Sequence, residues 1–418
     1  MSYRVAAIDI HKKVWMVVVA SANSEVKDPA GEALEFEARR FGTGSAERAH
    51  VVGWLRERDV KEVVMESTAQ YGKPVWMELE PHFGKLHLAQ AHSHRAPRGR
   101  KNDFGDAKRL ARRLLAGELL LSFVPAAAQR TWRTLTRSKH QLVRDRVRLP
   151  NQMEALLEEM RIKLSSVISD LLGVSGRRIL SALSAGERDP AKLAEWGDER
   201  LKCSREELSD SLNGAPPPTQ LAVLNLFLER LDLLDRQIES LDRLAAGELS
   251  QHQDAVTRVA ELPGFGADSA QQIIAEVGTD AETFPSAAAF RSWAGVCPGS
   301  NISAEQNHSS RAAKGNRFVR RILTQAAQAA VRKKGGHLQS VFRRRLPKLG
   351  YNGAIWAIAH RLARLVWKIL HDGVRYREPG EETHPKAKQR RAQKLTQALR
   401  RLGYVVTLTP IPETQAAG

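Results

Sequence analysis

The sequence predicts a mixed α/β domain followed by a long and mainly helical remainder, on three observations. Two short runs rich in β-branched residues, Val5-Ala6-Ala7-Ile8-Asp9-Ile10 and Val14-Trp15-Met16-Val17-Val18-Val19, flank the polar His11-Lys12-Lys13. That is a hairpin pattern, because such side chains fit a pleated, half-buried surface. Up to about residue 125 strand-like and helix-like segments alternate, and beyond it apolar residues recur at three- and four-residue spacing between charges.

In chain order, Phe36 to Phe41 supplies a third strand, and residues 45–57 have helical spacing at Ala46, Ala49, Val52 and Leu55. Val63-Val64-Met65 is a strand, Tyr71, Val75, Trp76 and Leu79 mark a helix, and Leu86 to Ala91 a further strand. A helix carrying Asp103 and Asp106 on one face ends the series. Three strands, helix, strand, helix, strand, helix is the order of an RNase H-like mixed sheet, although periodicity alone also fits other α/β layouts.

Residues 127–172 and 218–247 read as arms of a helical hairpin or coiled coil, with Leu224, Phe227, Leu231, Leu234, Ile238 and Leu241 as the stripe of the second. An ordinary bundle fits equally, since the heptads are short. Pro150 is expected to kink or interrupt the first arm, and Gly214-Ala215-Pro216-Pro217-Pro218 to turn the chain into the second. Leu262-Pro263-Gly264-Phe265-Gly266, with Ala270, Ile273, Ile274, Ala275, Glu276 and Gly278, has the pattern of a helix-hairpin-helix. Gly264 and Gly266 would bring backbone N–H groups to a phosphate, or serve packing alone. Helices follow at 316–332 and 351–371, then a polar, basic end with a strand-like Tyr404-Val405-Val406-Thr407-Leu408. The expected domains are 1–125 (α/β), 126–252 (helical arm), 253–372 (mainly α) and 373–418 (basic segment).

Charge narrows the partners. With 65 Lys+Arg against 47 Asp+Glu the formal charge is +18, which favours a polyanion. No run approaches the ~20 apolar residues of a spanning helix, so no membrane partner is expected. The N-terminus does not look like a signal peptide. Cys203 and Cys297 alone encode neither a disulfide framework nor a zinc cluster, and a reducing cytoplasm is the expected location.

Asp9 interrupts an apolar strand, Glu66 ends another, and Asp103 and Asp106 lie one helical turn apart. A buried acid is costly unless it is paired or metal-bound. Four hard carboxylates on several segments suit two Mg²⁺ ions at a phosphodiester. Taken singly, each could be a strand-edge charge or a helix N-terminal acid. A second chemical segment, 297–321, has Ser300, Ser303, Ser309 and Ser310 beside Arg311, Lys314, Arg317 and Arg320. A loop serine there could attack a phosphate while the cations stabilise the transferring oxygens.

The start D-I-H-K at Asp9, M-E-S-T around Glu66, K-N-D-F-G-D-A at 101–107, L-P-G-F-G, W-A-G-V-C-P-G-S-N-I-S-A, K-G-N-R-F-V-R-R and R-R-L-G-Y-V-V-T-L resemble, in this order, the bridge-RNA-guided insertion-sequence transposases, or bridge recombinases. The resemblance spans nearly the whole chain. It implies a RuvC-like domain with the metal-binding tetrad Asp9, Glu66, Asp103 and Asp106, a coiled-coil connection, and a transposase domain whose nucleophile is Ser303. Glu305-Gln306 stand where members often have Gly-Lys, which leaves Ser300 as the rival. The implied partners are donor and target DNA, a structured guide RNA and further copies of the chain, as dimer to tetramer, in a prokaryotic cell and on the nucleoid when bound. Two other classes fit the residues: a RuvC-like metal-dependent junction nuclease without serine chemistry, and a non-catalytic nucleic-acid-binding protein.

Overall fold

The computed structural model describes residues 3–22, 34–66, 70–90, 103–299, 301–303, 306–309, 312, 314–378 and 385–409. They fall into two units, Met1–Ala126 and Ala127–Gly418.

In the first unit β1 (Arg4–Ile10), β2 (Val14–Ala22), β3 (Leu34–Gly42), β4 (Glu62–Glu66), β5 (Leu86–Ala89) and β6 (Leu121–Ser122) form one sheet in the order β3-β2-β1-β4-β5-β6. The first three strands pair antiparallel, β1, β4 and β5 run parallel, and β6 returns antiparallel on β5. This is the mixed sheet that the order of elements suggested. β6 was not expected, because two residues carry no periodicity.

Strand alternation sends the two faces of β1 into different cores. Ala6, Ile8 and Ile10 pack with Val51 and Leu55 of α1 (Ser45–Glu57) and with Val75 and Leu79 of α2 (Gly72–Leu79). Val5, Ala7, Val64 and Ala89 meet Leu110 and Ala111 of α3 (Asp103–Leu115) on the other face. Covered on both sides, β1 is the fixed centre of the sheet.

The second unit begins with α4 (Ala127–Glu159), followed by α5 (Leu164–Val167), α6 (Val174–Ser184), α7 (Pro190–Ala194), α8 (Arg205–Ser211) and α9 (Pro218–Glu248). α4 and α9 lie antiparallel: Lys139 pairs with Asp242, Arg146 Nε lies 2.5 Å from Asp235, and Gln220 donates to Glu159 at 3.3 Å. At the far end Leu149, Met153 and Leu157 share a core with Leu180, Leu193, Leu208 and Leu224. The arm is therefore a two-helix pair with a small helical bundle at its tip.

Pro150 does not interrupt the first arm, since α4 runs through it. Proline removes one backbone donor, and the buried neighbours Leu149 and Met153 hold the helix in place across it.

The rest comprises α10 (Gln253–Ala260), α11 (Ala267–Val277), α12 (Ala287–Ala294), a hairpin of β7 (Asn301–Ser303) and β8 (Gln306–Ser309), α13 (Arg317–Ala330), α14 (His337–His371) and α15 (Pro385–Arg401). α10 to α14 share one core around Val259, Ile274, Phe290, Leu323 and Ile358. The strand-like Tyr404–Leu408 forms no strand. Val405 is 99% exposed there, and among the described residues no strand pairs with it. Among the described residues no helix is long and apolar enough to cross a membrane.

Candidate active site

Asp9 and Glu66 are set side by side by register. β1 and β4 pair in parallel up to Ile8 opposite Met65, so the next positions are Asp9 and Glu66. Adjacent strands lie about 4.8 Å apart, and alternation puts both acids on the face of Val5, Ala7 and Val64. That is the face covered by α3. Asp9 is only 15% exposed, and His11 Nε2 lies 3.2 Å from its Oδ2. The Asp-Ile-His spacing places that imidazole on the same side of the chain.

α3 supplies the other two positions. Positions 103, 106 and 110 recur at helical spacing, so both acids belong to the stripe that ends in the buried Leu110. Asp106 is half-buried and ion-paired with Arg109 one turn on. The side chain of Asp103 and residues 101–102 lie outside the described residues. Among the described residues no three His, Cys, Asp or Glu side chains converge closely enough to hold an ion. Register thus brings together two of the four acids, and α3 offers two positions above the same face. Two adjacent carboxylates on rigid strands are hard oxygen donors of the kind Mg²⁺ takes.

In the second unit Ser303 ends β7 opposite Gln306, the last pair before the two-residue connection 304–305. Ser300, Ser310 and Arg311 fall outside the described residues, as do the side chains of 301–309. What the structure does show is how both ends of this hairpin are held. α12 enters with Ser286 Oγ accepting from the Ala289 N–H at 3.1 Å, and stops at Gly295, whose φ of 71° is left-handed. On the way out, the Asn316 N–H donates to the Trp293 carbonyl at 3.0 Å. A Cβ on Gly315 would stand 2.3 Å from the Gly295 nitrogen. Only glycine lets the two backbones approach so closely.

Asn316 also links this joint to a buried charge. Its Oδ1 accepts from the Phe318 and Val319 N–H groups at 2.9 and 3.1 Å, capping α13. Its Nδ2 donates to Glu276 Oε2 at 2.8 Å. Glu276, 2% exposed, receives Arg137 through two bonds of 2.7 and 2.8 Å. Arg133 lies 3.6 Å from the same carboxylate and donates to the carbonyls of Ala275 and Glu276. Burial lowers the Arg133 pKa, and the Glu276 charge opposes that shift. One buried carboxylate therefore joins α4, α11 and the start of α13. Sequence reading placed Glu276 only in an apolar pattern, and its signal was an acid inside Ile273-Ile274-Ala275-Glu276-Val277.

The cations gather where α13 starts. Lys314 and Arg317 are exposed, and Arg317 and Arg137 both lie over the Phe318 ring, at 4.8 and 4.5 Å. Burial first, then Arg321, Arg144 and Arg317, lower the pKa of His140, which touches Phe318 edge-on. Arg320 is half-buried on the same turn. Lys314, Gly315, Asn316, Ser292 and Trp293 line a shallow pocket at the base of the hairpin.

The two glycines singled out for phosphate contact have structural duties. Gly264 has φ 85°, and a Cβ there would stand 2.1 Å from the Ala326 carbonyl oxygen of α13. The Gly266 N–H donates to Ser269 Oγ at 2.9 Å. Packing explains the first glycine and capping engages the second.

Two family models match the chain. Residues 6–162 match the DEDD transposase family of IS110 elements, and residues 256–343 match the transposase IS116/IS110/IS902 family. The transposase for insertion sequence element IS1328 of Yersinia enterocolitica is 24% identical over 277 residues, 65% of this chain and 72% of the relative. A Pseudomonas aeruginosa protein described as a probable family 20 transposase is 26% identical over 292 residues, 68% of this chain and 75% of its own. The DEDD match runs from the mixed sheet through α4 and the second match covers helices on both sides of the serine hairpin, so over both regions the chain is similar to the IS110/IS116/IS902 transposases, and it is a DNA transposase or recombinase.

Proposed function

We propose that this transposase inserts and excises a mobile element through a covalent serine–DNA intermediate, guided by a structured RNA that pairs with donor and target DNA. The observation that carries the reading is the adjacency of Asp9 and Glu66 on one face of the sheet, taken with the family assignment. Asp9, Glu66, Asp103 and Asp106 would hold Mg²⁺, which supplies charge neutralisation at a scissile phosphate when bound. Ser303 Oγ attacks the phosphorus, one P–O bond of the strand breaks, and a phosphoserine ester forms. The serine proton passes to a base and the departing sugar oxygen takes one up. Attack by a second strand's sugar hydroxyl then reverses the ester and joins the new strand. Lys314, Arg317, Arg320 and Arg311 stabilise charge on the transferring oxygens rather than remove the proton. Gly264 and Gly266 are the further phosphate contacts in this reading, and the working assembly is a dimer or tetramer.

The test combines guide RNA, both DNA partners and Mg²⁺ on denaturing gels. Ser303→Ala loses the protein–DNA adduct and strand exchange while still binding both nucleic acids. An adduct that persists in Ser303→Ala but disappears in Ser300→Ala moves the nucleophile. Metal-dependent nicking with no adduct in the wild type favours the junction nuclease.

A further inference from the structure

From Gln306 to His371 the sequence contains no Asp or Glu, against 15 Lys and Arg. In a chain with 47 acids this is a strong local bias, and the fold concentrates it. α14 is two helices joined at Gly350, whose φ of 65° and ψ of 176° are not helical. Phe342 and Tyr351 touch edge to face with ring centroids 5.7 Å apart. In a straight helix nine residues would separate them by about 13 Å along the axis. The chain therefore folds back at Gly350.

That fold brings Arg344 and Arg345 of the first half towards Arg361 and Arg364 of the second. In a straight helix Arg344 and Arg361 would stand about 25 Å apart. Here partial burial first, then the fields of Arg345, Arg344 and Arg364, lower the Arg361 pKa, so Arg361 lies within reach of the other three charges. Among the described residues no carboxylate ion-pairs with any of the four. All four are exposed. Next to them, Arg291 Nη1 lies 3.1 Å from His360 Nε2, and Arg291 precedes Ser292 and Trp293 of the pocket beneath the serine hairpin. Like charges folded together without counter-charge repel, and a polyanion relieves that repulsion by displacing its own counterions onto solvent. Guanidinium is also the side chain best shaped for phosphate oxygens.

We propose that Arg344, Arg345, Arg361 and Arg364, gathered by the fold-back at Gly350, form a clamp for the phosphate backbone of duplex DNA. It continues the basic track from Lys314 through Arg291. The inference rests on the family's action on DNA, which is why DNA rather than RNA is the occupant, and it does not require the serine chemistry.

The test measures binding of a fluorescein-labelled DNA duplex, and of an RNA duplex of equal length, by anisotropy over a salt series. Arg344→Gln/Arg345→Gln and Arg361→Gln/Arg364→Gln are compared with the full-length wild type. Each pair should lower the DNA log–log salt slope by about 2, at roughly 0.9 per phosphate contact, whatever the DNA sequence. Because Arg344 and Arg345 are exposed, the first pair leaves the core closed, and an unchanged thermal melt confirms it. An unchanged DNA slope in both pairs overturns the clamp, and a slope lost only on the RNA duplex reassigns it and overturns the DNA occupant. A wild type that binds no DNA would instead defeat the function proposed above, so the two failures are distinguishable.

Discussion

The acid pair and the serine hairpin are positioned by opposite means. Asp9 and Glu66 sit on β1 and β4, where register fixes each side chain's face and neighbour. Ser303 sits at the end of a three-residue strand, and its place is set from outside, by Gly315 against Gly295 and by Asn316 bound to Trp293 and Glu276. Metal ligands need rigidity, which paired strands supply. In the proposed chemistry Ser303 forms and then releases a covalent bond, and such a residue can instead ride on a hairpin anchored at its base. On the proposed function, mutating the acids removes chemistry, whereas mutating the anchors removes placement.

The largest effects should fall on chemistry alone. Asp9→Ala is expected to lower strand cleavage on the order of 10³-fold or more, with thermal stability and DNA affinity nearly unchanged, as cleavage assays and melting curves can show. A variant that unfolded would make Asp9 a structural residue and blur the contrast.

Next come the anchors. Glu276→Ala leaves the Arg137 and Arg133 guanidiniums without their carboxylate, and should cost roughly 3–5 kcal/mol in denaturant unfolding. Asn316 loses a partner as well, so strand exchange should fall with stability. Full stability in this variant would mean that the buried network holds nothing in place.

Gly315→Ala sharpens the same point. The added Cβ meets backbone atoms of Ala294 and Gly295, which cannot swing aside as a side chain could. A loss of about 1–3 kcal/mol is expected, together with slower adduct formation. Retained activity at reduced stability would show that the hairpin does not depend on this joint.

The smallest effect is the control. Asp242→Asn removes one of two acids on the half-buried Lys139 and leaves Asp268 as its partner, so it should change stability by about 1 kcal/mol or less without touching cleavage.

Much of this contrast was legible in the sequence, and for physical reasons. An acid inside Val5–Ile10 declares its face through period-2 alternation, and Glu66 closing Val63-Val64-Met65 does the same. The anchor was not legible, because Arg137, Glu276 and Asn316 are far apart in sequence and meet only through the packing of α4, α11 and α13. The packing role of Gly264 was not legible, because a left-handed glycine serves a phosphate-binding turn and a close helix approach equally well. Pro150 does not interrupt α4, because a single lost hydrogen bond yields to the burial of Leu149 and Met153. Tyr404–Leu408 had strand composition but nothing to pair with among the described residues.

The most direct measurement is to trap the wild-type protein on its DNA with guide RNA and Mg²⁺, digest the adduct, and locate the modified residue by mass spectrometry. The account predicts a nucleotide phosphate on Ser303, and no adduct when the same reaction is run with Asp9→Ala. A modification at any other residue, or cut strands carrying free phosphate and no protein, would contradict it.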